Sequence, residues 1–294
     1  INLEGNWMKV DFGDWAIRLI ARNDGVAYRF ETEKPGKIKV DDEIFSLNVP
    51  DPKARCWFNR TPKVGCEEAV SEAMEAGEIT TGEKTEKIIY LPFSYRHEGV
   101  TVLMTESDVR DYPILNMVRA DKTGPAVFNS WFSRYPVGFV YSDFGVKSVK
   151  GRGRQQRVVK QADYLVTTEG ERTFPWRAFM LADNASELVA NDLVWSLAAP
   201  SEGDFSWVKP GKVAWDWWNA WNLQGVSFKS GCNTKSYEYY IDFAAKNGVE
   251  YVIFDEGWSQ KLNIWKYNPE VDVEHLIRYA ENRGVGIILW VAWA

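Results

Sequence analysis

The chain has 294 residues, 45% hydrophobic and 26% charged, with 35 basic against 41 acidic side chains and a formal net charge of −6. That length suggests roughly two domains, and the acidic balance argues against a dedicated nucleic-acid binder, which needs a basic footprint to neutralise phosphates. No run approaches the ~20 apolar residues of a membrane-spanning helix, the opening residues do not read as a secretory leader, and three cysteines do not make a disulfide scaffold.

Residues 1–180 read as β. The run W-A-I-R-L-I-A at 15–21 is followed by Asn23-Asp24-Gly25 and then V-A-Y-R-F at 26–30. Asp-Gly between two alternating runs is a strong hairpin signal. Short apolar runs recur at 44–49, 87–90, 100–105, 114–119, 139–141, 157–160, 165–168 and 176–181. About ten short strands between turn residues predict a large antiparallel sandwich or barrel. Residues 67–76 look helical or irregular, and 183–197 read as a helix.

The period changes after Pro200. Residues 201–211 are turn-rich and read as a linker between a domain at 1–200 and another at 212–294. A short strand at 212–216 comes first. Tyr237, Tyr240, Ile241, Ala244 and Ala245 then share one helical face, with Asn233 or Thr234 as cap and Gly248 at the end. Residues 250–255 read as a strand buried on both faces. A second helix carries Val273, Leu276, Ile277 and Ala280 on one face, with Asn268 capping it, Pro269 in its first turn and Gly284 ending it. Residues 285–291 form a third strand. This β-α-β-α-β rhythm belongs to parallel α/β folds. Both a (β/α)8 barrel and a doubly wound sheet fit, and no Gly-x-Gly-x-x-Gly follows a strand to favour a dinucleotide. A barrel needs eight strands and only three are present, so the expectation is a fragment: an α+β multidomain chain with an N-terminal antiparallel β-super-sandwich and a truncated barrel start.

Polar and aromatic residues gather at the C-terminal ends of these strands, where a barrel carries its active site. They are Asp216, Trp217, Trp218 and Asn219, then Asp255, Glu256 and Trp258, then Trp290 and Trp293. Six of the 15 tryptophans lie in residues 1–206 and nine in 207–294. Indole faces can stack on the apolar C–H faces of sugar rings; packing in the core is the bland alternative for each of them.

The run S-W-V-K-P-G-K-V-A-W-D-W-W-N-A-W-N from Ser206, and then K-S-Y-E-Y-Y-I-D-F-A-A-K-N-G-V-E-Y-V-I-F-D-E-G-W-S from Lys235, resemble glycoside hydrolase family 97. Thr105-Glu106-Ser107-Asp108-Val109-Arg110-Asp111-Tyr112-Pro113 is the best matching piece of the first half. The resemblance implies an α-glucosidase or α-galactosidase, retaining or inverting, built of a super-sandwich, a (β/α)8 barrel and a small C-terminal β domain. It implies a calcium ion held by glutamates near the scissile bond, with Glu106 matching the ligand from the sandwich and the remaining ligands beyond Ala294. It also implies that the catalytic acid and the base or nucleophile lie beyond Ala294. The substrate would be an oligosaccharide or other α-glycoside, and the location of the parent protein periplasmic or secreted.

On this reading Asp216, Trp217, Trp218, Asn219, Glu256 and Trp258 bind substrate. Asp216 and Glu256 would bond sugar hydroxyls or orient their Trp and Asn neighbours; alternatively the aspartates satisfy backbone N–H groups in the following turns. Asp255 and Glu256 do not make a catalytic pair, because adjacent strand residues point to opposite faces. Glu106 suits a hard cation, or is an exposed acid beside Asp108 and Asp111. His97 and His275 give no metal spacing and no Ser-His-Asp arrangement. Cys56 and Cys66 either bridge a loop or stay free, and Cys232 has no partner in view. The basic run 147–160 reads as an exposed hairpin rather than a phosphate patch. Two further functions are open: a non-catalytic carbohydrate-binding protein with an aromatic platform, and a barrel glycosidase of another α-galactosidase family.

Overall fold

The computed structural model describes residues 5–62, 69–81, 87–119, 124–141, 156–260 and 263–291. Cys66, Trp293, Ala294 and most of the basic run 147–160 lie outside the described residues. The chain divides into two compact units, Ile1–Gly138 with Val158–Ser201, and Phe139–Arg157 with Glu202–Ala294. Among the described residues no helix is long and apolar enough to cross a membrane.

Up to residue 182 the regular structure among the described residues is strand, apart from a 3-10 turn at Ala76–Glu78. The strands are β1 (Asn6–Asp11), β2 (Trp15–Arg22), β3 (Gly25–Val40), β4 (Ser46–Val49), β5 (Arg55–Pro62), β6 (Ser71–Glu75), β7 (Lys87–His97), β8 (Val100–Ser107), β9 (Asn116–Val118), β10 (Ala126–Trp131), β11 (Pro136–Tyr141), β12 (Gln156–Gln161), β13 (Val166–Thr173) and β14 (Trp176–Ala182). Neighbours in the large sheet run β1-β2-β3-β14-β8-β7-β9-β10-β4, while β11 and β12 make a separate ribbon. The long β3 serves two partners on one edge: Gly25–Tyr28 pair with β14, and Glu31–Val40 with β13. The β7–β8 turn is Glu98-Gly99, at φ 48° and 86°. Positive φ at both central residues is what the two-residue turn matching strand twist requires.

Alternation decides what is buried. In β5, Cys56 and Phe58 are buried while Trp57 between them is exposed. They join Val49, Ile79, Ile89, Phe93, Met104, Leu115, Met117 and Phe128 in one core. A second cluster gathers Ile20, Ala27, Trp176 and Ala178 with Leu193 and Leu197. The irregular reading of 67–76 is corrected at 71–75: these residues are β6, paired with β5 from Asn59↔Ser71 to Arg55↔Glu75. Pairing with β5 overrode the helical propensity of E-A-M-E. The single helix expected at 183–197 is two, α1 (Ala185–Ala190) and α2 (Leu193–Leu197). They are separated where Asn191 turns extended (φ −71°, ψ 122°).

The second unit contains β15 (Val213–Trp215), α3 (Thr234–Asn247), β16 (Tyr251–Phe254), β17 (Ser259–Gln260), β18 (Asn263–Tyr267), α4 (Val273–Glu281) and β19 (Gly286–Leu289). β15, β16 and β19 form a parallel sheet in that order. The start of a (β/α)8 barrel and one half of a doubly wound sheet share this order. Asn233 caps α3 through its side chain, and Gly248 ends it at φ 62°. Tyr237, Ile241 and Ala244 of α3 pack with Val252 and Phe254 of β16 and Leu276 of α4. The start expected for α4 is corrected: Asp272 caps it, accepting from the His275 N–H at 2.9 Å. Asn268 instead holds the preceding turn, donating to Gly257 O and accepting from the Glu270 N–H. The β17–β18 hairpin has no counterpart in the sequence reading.

Candidate functional site

β15 ends in a 3-10 turn at Asp216–Asn219. Ala220 and Trp221 follow, both at φ 52°. For a residue as bulky as Trp this left-handed conformation costs on the order of 1–3 kcal/mol, and such strain gathers at functional sites. Asp216 holds the turn. Its carboxylate is fully buried and accepts from Trp221 Nε1–H at 2.9 Å and from the Asp255 N–H at 3.2 Å. The Tyr237 hydroxyl donates to it as well, and burial raises its pKa above the ordinary value. Asp216 therefore ties the end of β15 to the end of β16 and fixes Trp221. With no exposed surface, it orients its neighbours instead of offering an oxygen to a sugar.

The aromatic residues of the turn remain open. Trp217 is 52% exposed and Trp218 84%. Trp217 packs edge-on against Trp221 at 5.3 Å, and Trp218 tilts over Trp215 at 6.0 Å. Trp215 donates from Nε1 to Asp255 Oδ2 at 2.6 Å, and the other oxygen of Asp255 accepts from the Glu256 N–H. Asn219 accepts from the Tyr240 hydroxyl at 2.6 Å. The half-buried Glu256 follows β16, whose end Asp216 joins to this turn. Trp258 is different. It is 5% exposed, sits in the core, and donates to Trp290 O at 2.8 Å. The core alternative holds for it, and it offers no platform.

Sequence reasoning missed Tyr237, Tyr240 and Trp215 as the side chains that fix this site. The two tyrosines read only as a buried helix face. The signal was their hydroxyls, since a buried Tyr O–H needs a partner that Phe would not. His275 lies elsewhere, on α4, with Nε2 2.7 Å from Glu238. Cys232 meets the Tyr237 hydroxyl at 3.6 Å, and Cys56 is a buried free thiol.

Glu106, near the end of β8, is a buried acid rather than an exposed one. Arg177 of β14 reaches it through Nη1 and forks onto Glu43 with Nε and Nη2 at 2.8 and 2.6 Å. Both Glu106 oxygens accept from the Leu115 N–H at 3.1 Å. The three charged side chains are all under a tenth exposed. Burial raises the Glu106 pKa despite the arginine beside it. A calcium ion wants six to eight oxygens, yet no group of three or more candidate ligands occurs among the described residues. Glu106 and Glu43 are already counter-ions of Arg177. The described residues by themselves do not fit calcium.

Comparison with known families decides what the chain is related to. A family model described as Glycosyl-hydrolase 97 N-terminal matches residues 1–200. The chain belongs to glycoside hydrolase family 97. The model for the Glycoside hydrolase 97 domain matches residues 217–294, so family 97 covers both units and the alternative of another α-galactosidase family falls away. The retaining alpha-galactosidase of Bacteroides thetaiotaomicron is 37% identical over 95% of this chain and 42% of its own length. The probable retaining alpha-galactosidase of Streptomyces bingchenggensis is 29% identical over 95% of this chain and 38% of its own. The chain thus spans about two-fifths of these relatives. A family 97 enzyme of Pseudoalteromonas sp. strain K8, solved with acarbose, superposes with a TM-score of 0.69 at 22% identity, over 93% of this chain and 39% of that one. A beta-arabinopyranosidase superposes at 0.64 and 18%, over 94% and 40%. At those identities the two structures speak to the fold.

Proposed function

We propose that the protein containing this chain hydrolyses terminal α-galactosidic bonds with retention of configuration. The observation that carries this is the 37% identity to a retaining alpha-galactosidase across 95% of the chain. The turn after β15 supports it: two open indoles stand on a strained segment that a buried aspartate locks in place. Trp217 and Trp218 would stack on the sugar, and Asn219, set by Tyr240, would bond a hydroxyl. Glu256 would face the same substrate from the end of β16. Asp216, Asp255 and Tyr237 position these groups. Retention needs two carboxyl groups about 5 Å apart across the bond, and we assign neither to this chain.

Calcium belongs to the reading as a proposal for the whole protein. Glu106 would contribute one oxygen while keeping Arg177, with the other ligands outside the described residues. Chelation with later calcium return would test this. Restored activity in the intact protein, with weaker calcium affinity in Glu106→Gln, supports the role; indifference to chelation removes it. A periplasmic or secreted location is part of the same proposal and is tested by cell fractionation.

The substrate is tested by assaying the intact protein on aryl α-galactoside and aryl α-glucoside. The expected result is a higher kcat/KM on the galactoside. A preference for the glucoside would transfer the protein to the α-glucosidases of the family.

A further inference from the structure

The hairpin β17–β18 leaves the same end of the parallel sheet as the turn after β15, and its base is firmly built. Gly257, at φ 117°, turns the chain out of β16, and a Cβ there would meet Cys232 Sγ at 2.9 Å. Both facts favour glycine. Asn268 closes the base: its backbone N–H donates to Trp258 O at 2.9 Å and its side chain to Gly257 O at 2.9 Å. The buried Trp258 ring lies 6.4 Å from Tyr267, and its Nε1–H reaches Trp290 O, just past β19. The hairpin therefore stands on the C-terminal ends of β16 and β19. Closed barrels and open parallel sheets alike bind ligands at that end. Ser259, which pairs with Tyr267, is four residues beyond Asp255, a reach of at most about 14 Å. The Asp255 N–H in turn bonds Asp216, which holds the indole turn, at 3.2 Å.

The two strands of the hairpin are not in even register. Ser259 pairs with Tyr267 and Gln260 with Asn263, one step on β17 against four on β18. Ile264, Trp265 and Lys266 therefore bulge out of the ladder. The Asn263 side chain sets the bulge by accepting from the Trp265 N–H at 3.1 Å. Bulges recur beside active sites, where they re-aim a side chain. Here that side chain is an indole 89% exposed, with Ile264 and Tyr267 exposed beside it in the strand. Tryptophan is highly buried on average, and contiguous exposed apolar groups mark binding surfaces. One indole, Trp258, anchors the hairpin, and a second is held in water.

We propose that Trp265 is the platform for the leaving-group sugar, the unit across the cleaved bond from the terminal galactosyl residue. The inference rests on the proposed α-galactosidase reading and places the part of the substrate that reading leaves unassigned. The turn after β15 takes the terminal sugar, and the hairpin rooted on the next strand takes the unit that follows it. The apolar C–H face of that unit stacks on the indole. Trp265 touches no reacting atom. It holds substrate and transition state alike, so its contribution enters KM rather than kcat.

The test compares Trp265→Ala with wild type, as intact protein, on melibiose and on α-galactosyl fluoride. The fluoride substrate carries no leaving-group sugar and makes no use of the platform. The expected result is that kcat/KM on melibiose falls about tenfold relative to that on the fluoride, carried by KM. Trp265→Phe should recover part of the loss. An unchanged ratio of the two kcat/KM values would overturn the proposal. An exposed side chain contributes little to the fold, and Trp265→Gln repeats the comparison should the alanine variant not fold. A wild type inactive on both galactosides but active on maltose and α-glucosyl fluoride would refute the galactoside reading alone, and the same variants on that pair then decide the role of Trp265. A wild type that cleaves none of the four refutes the hydrolysis and the platform together.

Discussion

Glu106 and Asp216 are both buried carboxylates near the end of a strand, and the two units hold them in opposite ways. Glu106 is matched by charge: one guanidinium is divided between it and Glu43. Asp216 is matched by neutral donors from three places in the chain, Trp221, Tyr237 and the backbone of Asp255. A buried ion pair contributes little net stability yet is costly to break from one side. A buried acceptor serving several donors acts as a hub, and its loss releases each of them. The first arrangement clamps β8 and β14 to the loop carrying Glu43. The second shapes a surface turn, which is the arrangement a binding site needs.

Breaking the charge pair should have the largest effect. Arg177→Met leaves two buried glutamates without their cation and should cost about 3–5 kcal/mol, read as a lower urea midpoint of the intact protein. A loss below about 1 kcal/mol, the size of a surface pair, would mean the cluster relaxes into water. Next comes Asp216→Ala. It strands the donors of Trp221, Tyr237 and Asp255 and should cost about 2–3 kcal/mol, with a fall in activity as Trp217 and Trp221 move. Unchanged kinetics would separate the hub from the site.

A smaller effect distinguishes the carboxyls by titration. Burial raises Asp216 above its ordinary 3.8 and Glu106 above 4.5. The folded protein then holds these protons more tightly than the unfolded chain does. Stability falls as pH rises from the ordinary value through the folded one, and is level above it. Asp216→Asn lacks one of these titrations, so its stability relative to wild type should improve as pH rises from about 4 to 7. Urea unfolding across that interval measures the difference; a constant or declining difference would contradict the raised value. The smallest stability effect belongs to Trp218→Ala, within about 0.5 kcal/mol for an exposed residue. Its kcat/KM on an α-galactoside should nonetheless fall about tenfold, a loss of ~1.4 kcal/mol in transition-state binding. Full activity would leave Trp218 without a role.

Much of this was legible where one local rule decided the structure. Asn23-Asp24 joins β2 to β3 with Arg22 opposite Gly25, and α3 starts and stops at its predicted caps. β5 and β6 were not foreseen, because their pattern makes sense only once each strand lies beside the other. The site divided similarly. The open turn residues were visible as a Trp-rich strand end. Trp258 and Trp218 look alike in sequence, and only packing sends one inside and the other out. Arg177 was missed although an arginine inside the apolar run W-R-A-F-M is itself a signal. A buried guanidinium requires acids, and Glu43 and Glu106 supply them.

The most direct test of the central claim is the anomer released first. The intact protein would be mixed with an aryl α-galactoside and the sugar product followed by proton NMR before mutarotation. α-Galactose appearing ahead of β-galactose is the predicted result, since a nucleophilic carboxylate about 5 Å from the acid inverts the centre twice. β-Galactose appearing first, or no galactose at all, would contradict the assignment of this family 97 protein as a retaining α-galactosidase.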